Sequence, residues 1–205
     1  MHPAPAGFAG TIDGLARRLV GGERSSGRTM ERFGDAVTTA GVEGWLARYR
    51  DETLARDEWP VVAEAWRLAA SGQSDRLIEL DRAWGAHAGP GEASLRVGQR
   101  QLSRLRPLRD ARVVQRYLDA VQRGGARGWH PVVFGVWLAV FGVPLRQGLV
   151  QYAEQTLGAL LESVPASSSF PEAARERVRA CIAGAIPTRL AEFLPASRAP
   201  LLALR

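Results

Sequence analysis

The sequence predicts an all-α fold, a single compact domain of roughly nine or ten helices, and three observations carry that expectation. Apolar residues recur at three- and four-residue spacing along most of the chain. No stretch shows the alternation and hairpin turns of consecutive strands. Short Gly, Pro or Ser breaks divide the periodic stretches. With 205 residues, 46% of them hydrophobic, the chain is long enough to bury one substantial core.

Taken in order, the first strongly periodic stretch runs from Val42 to Arg56, with Val42, Trp45, Leu46, Tyr49 and Leu54 at helical spacing. Trp59 and Pro60 then open a further helix with Val61, Val62, Ala65, Trp66 and Leu68 on its apolar side, since proline suits a first turn. In "SDRLIELDRAW" Ser74 reads as an N-cap, and Leu77, Leu80 and Trp84 share one face. "DARVVQRYLDAV" repeats the pattern with Asp110 as cap and Val114, Leu118 and Val121 turned to the core. Breaks are expected at "AGPGE", "RPLRD", "RGGARGWHP", "GVP", "VPASSSFPE" and "IPT".

Composition excludes several mechanisms. All 27 basic residues are arginine, and without lysine the chain forms no Schiff base and offers no Walker A lysine to a nucleotide phosphate. His2, His87, His130 and the single Cys181 lie far apart in sequence, with none of the paired spacings of a zinc site, so no metal and no cofactor is expected. There is no GxSxG elbow, no HExxH and no GxGxxG after a strand, and Cys181 in "RVRACIAGAIP" reads as a small buried hydrophobe. The acidic residues are interleaved with arginines, as surface pairs are. These readings leave no recognisable catalytic constellation in the sequence.

Charge is concentrated between Arg96 and Arg127, where nine arginines (96, 100, 104, 106, 109, 112, 116, 123 and 127) face only Asp110 and Asp119. Arg96, Arg100 and Arg104 recur every four residues and form one stripe on a helix. A solvated face, a contact for an acidic protein and a phosphate contact all fit such a stripe. No helix-turn-helix, RNA-binding or zinc-finger pattern accompanies it, so a nucleic-acid role rests on the stripe alone.

"GWHPVVFGVWLAVFGVPL", residues 128 to 145, places His130 and Pro131 before an apolar run from Val132 to Val143. The run falls short of the roughly 20 residues of a membrane span and reads as a buried core helix with Pro131 in its first turn. His130 is then a structural residue. No basic region leads into an apolar one at "MHPAPAGFAG", so no secretory signal and no membrane association are expected. A lone cysteine suits a cytoplasmic location.

The order of three segments resembles the urease accessory protein UreF family. They are "VEGWLARYRDETLARDEWPVVAEAWRLAASGQSDRLIELDRAW", "ASLRVGQRQLSRL" and "HPVVFGVWLAVFGVPLRQGLVQYAEQTLGALLESVP". The last is the most specific, since members typically open a buried helix with His-Pro-[Val/Ala]-x-[Phe/Tyr]-Gly, matched here by His130, Pro131 and Gly135. Gly98 stands at the glycine of the family's Gln-x-Gly-Arg helix. The resemblance implies one UreF-like helical domain over 1–205, with 1–41 a divergent N-terminal part and 42–194 the best-matching part.

The resemblance further implies a non-enzymatic homodimeric scaffold. Such a scaffold binds UreD (also called UreH) and the nickel-carrying GTPase UreG, bridging them for nickel insertion into apo-urease. Three segments differ from the family pattern. The N-terminal Phe-Pro-x-Gly-x-x-x-His-Ser-x-Gly-Leu-Glu signature becomes "LVGGERSSGRTME", where Gly22, Ser26 and Glu31 match. The [Lys/Arg]-Leu-Val-Pro-x-Gly-Gln element becomes "ESVPASS", so Glu162 replaces a cation, Pro165 is kept, and Ser167 and Ser168 replace Gly-Gln. The C-terminal Met-Arg-His-Glu element has no counterpart in "APLLALR". Because the first two elements lie on or near partner-contact surfaces in the family, the expected partner-binding residues are Glu31, Glu162, Pro165, Ser167 and Ser168. A UreF-fold scaffold serving another assembly, and a basic helical nucleic-acid-binding module, are the alternative functions.

Overall fold

The computed structural model describes residues 38–88, 92–106, 112–164 and 170–196. Within them the chain forms α1 (Thr39–Arg48), a π-helical segment (Tyr49–Glu58), α2 (Trp59–Ala70), α3 (Ser74–Ala88), α4 (Glu92–Leu105), α5 (Arg112–Gln122), α6 (His130–Val140), α7 (Leu145–Glu162) and α8 (Glu172–Ala196). The first three run on without a break, so the described residues make seven continuous rods rather than the nine or ten helices expected.

Two of the expected breaks, both at prolines, do not occur. Pro60 lacks the N–H that an α-helix needs, and the expected break at Trp59 and Pro60 does not occur. Instead the turn ahead of it widens: the Trp59 N–H reaches back to the Leu54 carbonyl, five residues away, in π-helical register. The "IPT" break is also absent, because α8 continues across Pro187. Pro187 and Ala183, whose carbonyl loses its donor, both lie on the exposed side of the helix. By contrast "GVP" ends α6 as expected, with Gly142 at φ 62° and the Val143 N–H returning to the Leu138 carbonyl. At the start of α3 the boundary moves by one residue: the Gln73 carbonyl accepts from the Leu77 N–H, and Ser74 is already helical. The "RPLRD" residues 107–110, including the expected cap Asp110, lie outside the described residues.

Helix α6 is buried from His130 to Leu138, apolar on every side as a central helix must be. Phe134 and Leu138 face one apolar cluster, built with Val42, Leu46, Tyr152, Leu157 and Ile186 from α1, α7 and α8. Val132, Val133, Val136 and Trp137 face a second, built with Ala65, Leu77, Leu102 and Val114 from α2 to α5. Close approach of α2 to α6 depends on Gly135. A Cβ there would lie 2.5 Å from the Val62 carbonyl and 2.6 Å from the Ala65 Cβ, so only glycine lets the two backbones meet. No helix among the described residues is long and apolar enough to cross a membrane.

Candidate functional site: the His-Pro junction and the end of helix α7

His130 opens α6 with 2% of its surface exposed. Its ring stacks on Tyr152 at 5.1 Å and meets Phe134 edge-on at 5.9 Å. Burial holds the imidazole pKa down at about 3, so the ring is neutral near pH 7. Its Nε2 is buried and makes no hydrogen bond among the described residues. No group of three or more His, Cys, Asp or Glu side chains among the described residues is arranged to hold a metal ion. Gly98 of α4 packs directly beneath this junction: a Cβ there would fall 2.0 Å from the Gly128 carbonyl and 2.7 Å from the His130 nitrogen. The structure therefore brings Gly98, His130 and Pro131 together, with Gly135 one turn further along the same helix.

The loop before α6 is held by a residue that the sequence reading did not single out. Asp81 is fully buried in α3. Its Oδ2 accepts from the Tyr117 hydroxyl at 2.6 Å, the Gly128 N–H at 3.1 Å and the Trp129 N–H at 3.0 Å, and its Oδ1 from the Arg127 N–H at 2.5 Å. One carboxylate thus serves three successive backbone donors that no helix satisfies, and joins α3, α5 and the start of α6. Burial, and then the Asp81 charge, push the Tyr117 hydroxyl well above its ordinary pKa. A signal was present in the sequence, because Leu77, Asp81 and Trp84 fall on one helical stripe and a carboxylate on an apolar stripe must find donors. A second buried pair, the Tyr49 hydroxyl donating to Glu58 Oε1 at 2.8 Å, spans the π-helical segment.

The Val-Pro element begins at the end of α7. Arg175 of α8, 7% exposed, donates to the Leu161 carbonyl and, at 2.8 Å, to the Val164 carbonyl, so its guanidinium closes the C-terminus of α7. The same guanidinium lies 5.1 Å from the Phe170 ring centroid. Glu162 is exposed and its Oε1 sits 2.8 Å from Arg179 Nη2. Arg179, paired also with Glu176, has its pKa raised mainly by that second hydrogen bond. Of the expected partner-binding residues, only Glu162 is described; Glu31, Pro165, Ser167 and Ser168 lie outside the described residues.

Cys181 is exposed, against expectation, because it lies on the solvent side of α8 beside α1. Its thiol is 3.4 Å from Glu43 Oε1, and that hydrogen bond, followed by burial, raises its pKa. A raised thiol pKa leaves little thiolate, so exposure does not make this cysteine a nucleophile. Arg96, Arg100 and Arg104 all lie exposed on α4, as the stripe predicted.

The described residues define an all-α protein in which buried carboxylate, guanidinium and imidazole groups brace the junctions between helices. The chain belongs to the UreF family, whose model matches residues 37–164, from the start of α1 to the end of α7. It is similar to the urease accessory protein UreF of Sporosarcina pasteurii, 25% identical over 125 residues, which are 60% of this chain and 62% of that protein. The chain thus matches about three fifths of the length of that curated relative. No solved structure matches.

Proposed function

We propose that this chain is a non-enzymatic urease accessory scaffold that bridges UreD (UreH) and the GTPase UreG while nickel is inserted into apo-urease. The observation that carries the reading is the extent of the family match, which takes in the central α6, its His-Pro opening and every helix packed around it up to the Val-Pro turn. The chain lacks lysine, in keeping with a division of labour in which the GTP chemistry belongs to the partner. Glu162, beside the Val-Pro turn, and Glu31, Pro165, Ser167 and Ser168 are the proposed contact residues. The protein acts as a homodimer in the cytoplasm.

Two measurements test this reading. Affinity capture of the full-length protein from its native organism should recover UreG and UreD, and light scattering at micromolar concentration should give a dimer. Recovery of neither protein would move the assignment to a UreF-fold scaffold serving another assembly. Steeply salt-dependent binding to RNA or DNA, lost on replacing Arg96, Arg100 and Arg104, would move it to a nucleic-acid module.

A further inference from the structure

Helices α4 and α5 leave a cleft of about 230 Å³ between them. Its floor, Leu102 and Leu118, is already buried by the chain's own packing, so what the cleft offers a ligand is its rim. That rim is polar and faces solvent: Gln99, Ser103 and Arg106 of α4 and Gln122 of α5 are all exposed. The Ser103 hydroxyl donates to the Arg100 carbonyl at 2.7 Å, which leaves its oxygen as an acceptor. Gln99 Nε2 donates to the Arg127 carbonyl at 3.3 Å. A Cβ on Gly128 would lie 3.7 Å from Gln99 Cγ and 3.8 Å from Val121 Cγ1, so the loop after α5 closes this end of the cleft.

Positive charge stands at both ends. Arg106 lines one end, and Arg127 is exposed beside Gln99 at the other. Gln99 and Arg106 are seven residues apart on α4, so about 10 Å separates the two ends. Arg96, Arg100 and Arg104 are exposed along the same helix, and Arg123 is exposed just past the end of α5. From Ser94 to Gly128 the described residues include one acidic group, Asp119. The chain as a whole carries a net charge of +6, which draws acidic partners toward it.

We propose that the α4–α5 cleft docks an extended acidic segment of a partner protein, with carboxylates three residues apart set against Arg106 and Arg127 and the backbone between them set against Gln99, Ser103 and Gln122. An extended segment advances about 10 Å in three residues, the separation of the two ends. Guanidinium groups take carboxylates in a bidentate fork, and the glutamine amides donate and accept as a peptide backbone does. The lining favours protein over nucleic acid. It contains no aromatic ring, and the neighbouring Tyr117 and Trp129 are 0% and 6% exposed, so no platform is present on which a base could stack. The partner is defined by its chemistry, and the docking surface goes beyond the scaffold reading without depending on that partner being UreD or UreG.

Fluorescence anisotropy of the full chain with a labelled octaglutamate peptide tests the proposal. The peptide should bind, and Arg106→Glu/Arg127→Glu should weaken binding about tenfold or more. Arg56→Glu/Arg146→Glu changes the net charge equally at exposed positions outside α4 and α5, and should weaken binding less than about threefold, because screening limits what distant charges contribute. Equal loss in the two double variants would overturn the proposal by making net charge the source of the attraction. Absence of peptide binding would overturn it too, as would tighter binding of labelled octauridylate that is lost in the first double variant, which would make the occupant a nucleic acid. Magnetic resonance on the wild-type chain decides the case without any substitution. Octaglutamate should shift the side-chain amide signals of Gln99 and Gln122 and leave that of Gln147, in α7 across the central helix, in place. Equal shifts at all three glutamines, or none at Gln99 and Gln122, would overturn the proposal.

Discussion

Glu162 Oε1 lies 2.8 Å from Arg179 Nη2, so this acidic residue at the end of α7 meets a counter-charge on the neighbouring helix of the same chain. The charge at position 162 therefore has an opposite charge beside it within the chain. Replacing Glu162 by Arg would set two guanidiniums against each other, although both positions are partly solvated, which limits the effect. Urea unfolding should show Glu162→Arg destabilised by about 0.5–1 kcal/mol, with most of that recovered in the exchanged pair Glu162→Arg/Arg179→Glu. If the exchanged pair also restores UreG capture, the pair acts by shaping the end of α7. If stability returns and capture does not, the carboxylate itself is the contact.

Asp81 is the acceptor on which the loop before α6 depends. Asp81→Ala would leave the Tyr117 hydroxyl and the Arg127, Gly128 and Trp129 amides without their acceptor. A loss of about 3–5 kcal/mol is expected in equilibrium unfolding. Tyr117→Phe removes one donor and should cost about 1 kcal/mol. The two effects should not add, because both act on one network.

Two glycines divide the helices into crowded and open sites. Gly98→Ala places a methyl against backbone at the His130 junction, where neither partner has a flexible end to move, and should cost about 2 kcal/mol or more. Gly44, with nothing within 4 Å of a Cβ, is the control: Gly44→Ala should be neutral or stabilising by about 0.5–1 kcal/mol. Melting temperatures of the two variants should therefore move in opposite directions or differ by several degrees.

His130 gives the fold an acid sensitivity of defined sign. Its pKa is about 3 in the folded protein against 6.5 for the free side chain, so the unfolded chain takes up the proton first. The stabilising contribution of the neutral ring is complete above pH 6.5 and is lost as pH falls from there toward 3, reaching on the order of 3 kcal/mol by pH 4. Asp51, held at about 2 chiefly by its hydrogen bond to Arg50, is lost in the same direction, but only below its free value of 3.8. His130→Gln should flatten the stability profile between pH 6.5 and 4 while leaving the fall below pH 4 in place. An unchanged slope in that upper window would show that His130 is not its source.

Periodicity determined that the chain is helical, the short unbroken apolar run marked "HPVVFGVWLAV" as a core helix, and the resemblance of three ordered segments to known family motifs pointed to the family. These features are local. Spacing of apolar residues, a proline in a first turn and a run too short to span a membrane leave their signature within a dozen neighbours. Tertiary structure decided the rest, because it depends on what lies across the helix. Pro60 and Pro187 read as breaks, but each rod stays continuous, one with a π-helical segment ahead of its proline and the other with its proline on the exposed side. Cys181 read as buried because its spacing is apolar, yet α1 covers only one edge of that face. Asp81 sits on an apolar stripe like a misplaced charge until the loop at 127–129 brings it three amides. Glu162 read as a partner-binding residue, and only the antiparallel return of α8 shows that Arg179 also lies beside it. In each case the sequence contained one member of a contact, and only the chain's return through space supplied the other.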